Sequence, residues 1–85
     1  MARYRIEVKQ SVVKELSSIP KRDLVLIVAR IRSLSDDPRP TGSIKLTGQE
    51  KYRIRQGHYR ILYTIEDEVL VVYIIRIAHR RDAYR

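Results

Sequence analysis

Along this chain the spacing of apolar residues changes from two, to three-and-four, and back to two. Tyr4, Ile6 and Val8 alternate with Arg3, Arg5 and Glu7, which predicts a half-buried first strand. Val12, Val13, Leu16 and Ile19 then form the stripe of a short helix that Gln10 or Ser11 would cap and Pro20 would end. From Lys21 to Leu34 a second stripe runs through Leu24, Ile27, Val28, Ile31 and Leu34, widened by Val25 and Leu26. Two helices so closely joined form an antiparallel hairpin that can cover one face of a sheet. The turn formers from Asp36 to Ser43 predict a mobile loop carrying Arg39, followed by a short extended piece from Ile44 to Leu46.

Period two returns from Tyr52 to Tyr63, in the run YRIRQGHYRILY. A two-residue turn at Gly57-His58 pairs Gln56 with Tyr59, Arg55 with Arg60, Ile54 with Ile61, Arg53 with Leu62 and Tyr52 with Tyr63. All apolar side chains then share one face except Leu62, and Arg53, Arg55 and Arg60 share the other. Glu66-Asp67-Glu68 marks an acidic turn, and Val69 to Ile77 reads as a strand apolar on both faces, hence central and covered on both sides. The first strand is its natural parallel neighbour, because the helical hairpin supplies a crossover of sufficient length. Arg76 interrupts the run and is expected near the strand's end, close to solvent or a phosphate. The tail from Ala78 to Arg85 is basic and would ordinarily fray, unless it folds back beside the arginine face.

Charge sharpens this outline. At 85 residues, 44% apolar, the chain has room for one domain, spanning 1–85, with a single small core. Its net charge of +8 points to nucleic acid or an acidic protein as partner, and Arg, which suits bidentate phosphate contacts, outnumbers Lys. Two guanidinium groups roughly 6 Å apart repel by about 0.7 kcal/mol in water, so the Arg55–Arg60 pairing favours a polyanion that removes the cost. A solvated sheet face explains the alternation equally well at this point. No cysteine is present, no run reaches the roughly 20 apolar residues of a membrane span, and Met1 to Val8 is no secretory signal, so a cytoplasmic protein is expected.

The catalytic options are few. His58 and His79 have no carboxylate at ligand spacing, so neither metal nor cofactor is expected, and no serine has a histidine near it in the pattern. RNA cleavage needs neither, since the 2′-hydroxyl is the nucleophile. The protein must align the strand, neutralise phosphate charge and move protons. Arginine serves the second need but is a poor base, leaving Tyr84 or His79 for the third. Tyr84 could equally stack on a base. Lys45, Lys51, Arg76, His79 and Arg81 are the further candidate phosphate contacts.

The ordered set KLTG at 45–48, YRIR at 52–55, GHYRILY at 57–63, an acidic turn, an apolar strand and HRRDAY at 79–84 resembles the RelE/ParE toxin superfamily, its RelE branch in particular. The resemblance implies an α+β fold, two helices from the N-terminal half on a mainly antiparallel, twisted sheet of about four to five strands. It implies a type II toxin that acts as a metal-independent endoribonuclease on mRNA in the ribosomal decoding site, and an acidic antitoxin partner encoded nearby. The family's catalytic positions fall on Arg53, Arg55, Arg60, Arg80 and Tyr84. The first two are commonly Lys in the best-known member, and Arg keeps the charge while shifting the base role toward Tyr84. Two other readings fit: a gyrase-poisoning toxin of the same fold, and a basic RNA- or antitoxin-binding module without activity.

Overall fold

In the computed structural model, which describes residues 3–81, the hairpin has the register that alternation requires. Strand β3 (Tyr52–Gln56) and strand β4 (Tyr59–Glu66) pair Tyr52 with Tyr63 through to Gln56 with Tyr59, and Gly57 turns the chain at a φ of 60°. A side chain at that φ would be strained, which is why glycine stands there. Around the hairpin lie β1 (Arg5–Val8), α1 (Gln10–Ser17), α2 (Lys21–Ser33), β2 (Ile44–Lys45) and β5 (Val71–His79). The sheet order is β1-β5-β4-β3-β2, with β1 and β5 parallel and the other pairs antiparallel. The expected α+β architecture, with its parallel closing pair, is the one observed.

One sheet face meets the helices. Val12 of α1 and Ile27 and Ile31 of α2 join Leu34, Ile54, Ile61, Tyr63, Val72, Ile74 and Ile77 in a single core. Only part of each predicted stripe is used. Val13, Val25 and Leu26 are 54%, 60% and 51% exposed, because an eight-residue and a thirteen-residue helix on a small sheet each bury one narrow face. Neither Gln10 nor Ser11 caps α1. The cap is Lys9, whose carbonyl accepts from Val12 N–H at 2.8 Å, since β1 runs into the helix with one intervening residue.

Strand β5 departs from expectation at both ends. It begins at Val71 because Leu70 adopts a left-handed φ of 54° and closes the turn, leaving Val69 63% exposed in the turn. It runs on to His79, so the first two tail residues belong to the sheet. The helices cover one face of it, while Tyr73 is 37% exposed on the other. The two-faced apolar run is explained by a bulge: Leu62 pairs with Arg76 but Tyr63 with Ile74, so Ile75 is an extra residue. Before the bulge Val72 and Ile74 face the core, and after it Ile77 does, which turns Arg76 to the opposite face. Beyond Val8, where Lys9 N–H closes the parallel pair on the Ile74 carbonyl, the open edge of β5 is capped by the Glu15 carboxylate, which accepts from Ile77 N–H at 3.2 Å.

The loop expected to be mobile is pinned. Arg39 donates to both Asp67 oxygens at 3.1 and 2.8 Å and to the Tyr52 hydroxyl at 3.2 Å, and lies 5.3 Å over the Tyr52 ring. Tyr4 donates to Asp67 at 2.6 Å, and the buried Tyr63 hydroxyl donates to the Pro38 carbonyl at 2.8 Å. Arg39 and then Tyr4 hold the Asp67 carboxyl down at about 2. A depressed carboxylate stabilises the fold above its unfolded value near 3.9 and loses that contribution as pH falls toward its folded value. Asp67→Asn is therefore expected to melt below the parent at neutral pH, with the difference closing between about pH 4 and pH 2. Thermal melts of both proteins across that range check it, and a constant difference would contradict the pinning.

Candidate functional site

The sheet face away from the helices carries the arginines in two rows. Arg55 of β3 lies opposite Arg60 of β4, which lies opposite Ala78 of β5. In the next row Ile44, Arg53, Leu62 and Arg76 follow one another across β2, β3, β4 and β5. Period-two alternation puts Arg53, Arg55 and Arg60 here, and the bulge adds Arg76. Among the described residues no carboxylate pairs with Arg53, Arg55 or Arg80, whereas Arg76 Nε stands 4.0 Å from Glu15.

The tail reaches this face through Arg80, whose N–H donates to the His58 carbonyl and so ties the end of β5 to the hairpin turn. A cavity of about 190 Å³ results, lined by Arg55, Gly57, His58, Tyr59, Arg60 and Arg80. Arg81 lines, with His58, His79 and Arg80, a wider hollow of about 500 Å³ beside it. His79 turns toward the helix side of the sheet, edge-on to Tyr59 at 5.2 Å and 6.1 Å from His58. Its Nδ1 accepts from Arg81 N–H at 3.1 Å, which fixes the turn after β5.

Three of the expected phosphate contacts stand elsewhere or between sites. Lys45 lies opposite Tyr52, hence off the arginine face, and pairs with Glu50 at 3.4 Å. Lys51 is exposed just before β3, its carbonyl accepting from Leu46 N–H. Arg76 lines both the arginine face and a groove beside Glu15. Tyr84 lies outside the described residues.

Two residues gain a place that pattern reading did not give them. His58, which has no carboxylate at metal-ligand spacing, lines the cavity together with Tyr59, Arg55, Arg60 and Arg80. Its position directly after the turn glycine was the available signal. Arg30 of α2 lines a hollow of about 370 Å³ with Gly42, Ile44, Arg53 and Arg55. No local pattern reports that contact, which depends on how α2 meets β3.

Chemically, the 190 Å³ cavity can take a phosphodiester. Three guanidinium groups offer forked donors to its oxygens. The family described as the ParE toxin of type II toxin-antitoxin systems, parDE, matches residues 4–84.

The chain belongs to this toxin family. The toxin is 32% identical over 84 residues to Toxin RelG of Mycobacterium tuberculosis, covering 96% of this chain and 97% of the relative. It superposes with a TM-score of 0.83 and 31% identity on the toxin of an archaeal RelE–RelB complex from Pyrococcus horikoshii, covering 94% of this chain and 97% of that one. The toxin–antitoxin complex RelBE2 of M. tuberculosis gives 0.84 at 30% identity, with 94% of each chain covered. The toxin is thus a type II toxin of the RelE/ParE superfamily, with the fold of RelE toxins.

Proposed function

We propose that the toxin is a ribosome-dependent endoribonuclease that cleaves mRNA through its own 2′-hydroxyl. The observation that carries this is the meeting of Arg55, Arg60 and Arg80 around one phosphate-sized cavity on an otherwise open sheet face. In the reaction the 2′-oxygen attacks phosphorus and the bond to the 5′-oxygen breaks, giving a cyclic phosphate and a free 5′-hydroxyl. Arg55 and Arg60 neutralise the charge that builds on the non-bridging oxygens, with Arg53 adding to the field from the neighbouring row. Arg80 stabilises the departing 5′-oxygen, which takes up a proton from solvent, while Tyr84, as the phenolate that neighbouring guanidinium charge favours, accepts the proton of the 2′-hydroxyl. No metal is needed for phosphate charge that guanidinium groups already meet. The ribosome supplies the alignment of the strand.

The partner we assign is an acidic antitoxin encoded nearby, of the RelB kind that accompanies the two solved relatives. A net charge of +8 suits such a partner as well as it suits RNA. Action on translating ribosomes places the toxin in the cytoplasm.

Primer extension on a message translated in the presence of purified toxin tests the reading. Cuts at fixed codon positions are expected, with little cleavage of naked RNA. Intact message with accumulating gyrase-cleaved DNA would replace it with the gyrase-poisoning reading, and neither effect would leave a binding module. Steady cleavage of naked RNA by the free protein would refute ribosome dependence.

A further inference from the structure

Leu62 is the one apolar residue of the hairpin that lands on the arginine face, and the phosphate chemistry gives it no task. It is half-buried, with Arg53 opposite it on β3 and Arg76 opposite it on β5, and Arg60 two residues before it on the same face. Together with Leu46 and Ala78 it floors a pocket of about 170 Å³ whose rim is Arg53, Arg60 and Arg76. The two flanking strands are separated by two strand spacings, roughly 10 Å, enough for a planar ring system to lie flat on Leu62 between them.

We infer that this pocket is a nucleobase subsite, selective for bases with a keto oxygen at the O6 or O4 position, guanine and uracil, over adenine and cytosine, which carry an amino group there. It rests on the reading of the arginine face as an RNA site and adds a base position to it. An apolar floor suits the face of a base, since stacking surfaces for RNA need apolar or planar contact and no charge. A second phosphate would gain nothing from Leu46, Leu62 and Ala78. The rim sets the selectivity: guanidinium groups carry donors and no acceptor. Guanine offers N7 and O6, and uracil offers O4, whereas adenine and cytosine point an amino donor outward. Glu15, whose carboxylate stands 4.0 Å from Arg76 Nε, caps the edge of β5 and does not line the pocket. Arg60 lines both this pocket and the 190 Å³ phosphate cavity, so base and phosphate lie side by side as they do along a strand. The bulge at Ile75 is what brings Arg76 to the rim, as bulges beside functional sites re-aim side chains.

The test uses 2′-O-methyl trinucleotides, whose blocked hydroxyl prevents cleavage, with each base varied at each position and titrated into the full chain by fluorescence anisotropy. At one position guanine and uracil should bind about tenfold tighter than adenine and cytosine. Raising salt should weaken all four together and leave the ratio, because counterion release belongs to the phosphates. Replacing guanine by 2-aminopurine, which lacks O6, should remove its advantage. Arg76→Ala should bring the ratio toward one, and Arg76→Lys, which keeps charge but loses the fork, should do the same while retaining overall affinity. Equal binding of the four bases, no measurable binding, or a ratio indifferent to Arg76 would each overturn the subsite. Because no bond is cut, codon-position cleavage without base selectivity sinks the subsite alone, and selectivity without cleavage sinks the nuclease reading alone.

Discussion

Arg60→Ala is expected to lower the rate of ribosome-dependent mRNA cleavage by about 10²–10³-fold, the range seen when one preorganised donor to developing charge is removed. Of the arginines on the face, Arg60 lines the phosphate cavity and the pocket next to it, between Arg55 on one side and Ala78 on the other. The loss should fall on the chemical step, because charge on the non-bridging oxygens is largest in the transition state. Truncation also ends the repulsion between Arg60 and Arg55, two cations directly opposite each other. Single-turnover cleavage on ribosomes programmed with a defined message, alongside a thermal melt, separates the two effects. A cleavage rate within a few-fold of the parent would remove Arg60 from the chemistry.

The faces of the sheet were readable because period two leaves only two ways to lay a strand, and the Gly57 turn fixes which residues oppose each other. All five pairs from Tyr52–Tyr63 to Gln56–Tyr59 follow from that alone. The parallel β1–β5 pair was readable from chain length, since only the helical hairpin could carry the crossover. What the pattern could not show depends on a partner far along the chain. The bulge at Ile75 is defined by β4, and without it Arg76 would point into the core. Arg39 looked like a mobile cation because its anchors, Asp67 and Tyr52, lie 28 and 13 residues away. No local pattern places Lys45, whose pairing with Tyr52 turns it from the arginine face. His58 reads as a turn residue in the sequence, and joins the cavity because Arg80 is tied to its carbonyl.

Ile61→Ala, one residue along from Arg60, is expected to have the opposite profile. Ile61 is 0% exposed on β4, between Ile54 of β3 and Ile77 of β5, and belongs to the core that both helices cover. Truncating such a side chain costs about 2–5 kcal/mol in transfer and cavity terms. A domain of this size has only about 4–13 kcal/mol to lose, at roughly 0.05–0.15 kcal/mol per residue. A drop in melting temperature of roughly 10 °C or more follows, at about 4–8 °C per kcal/mol. Cleavage measured well below the lowered midpoint should stay near the parent rate, because the arginine face does not include Ile61. Val13→Ala, at a position 54% exposed on α1, provides the control and should change stability by less than about 0.5 kcal/mol. The pair of neighbours therefore tests the register itself: a slip of one residue would exchange the two faces. In that case alanine at 61 would melt like the parent.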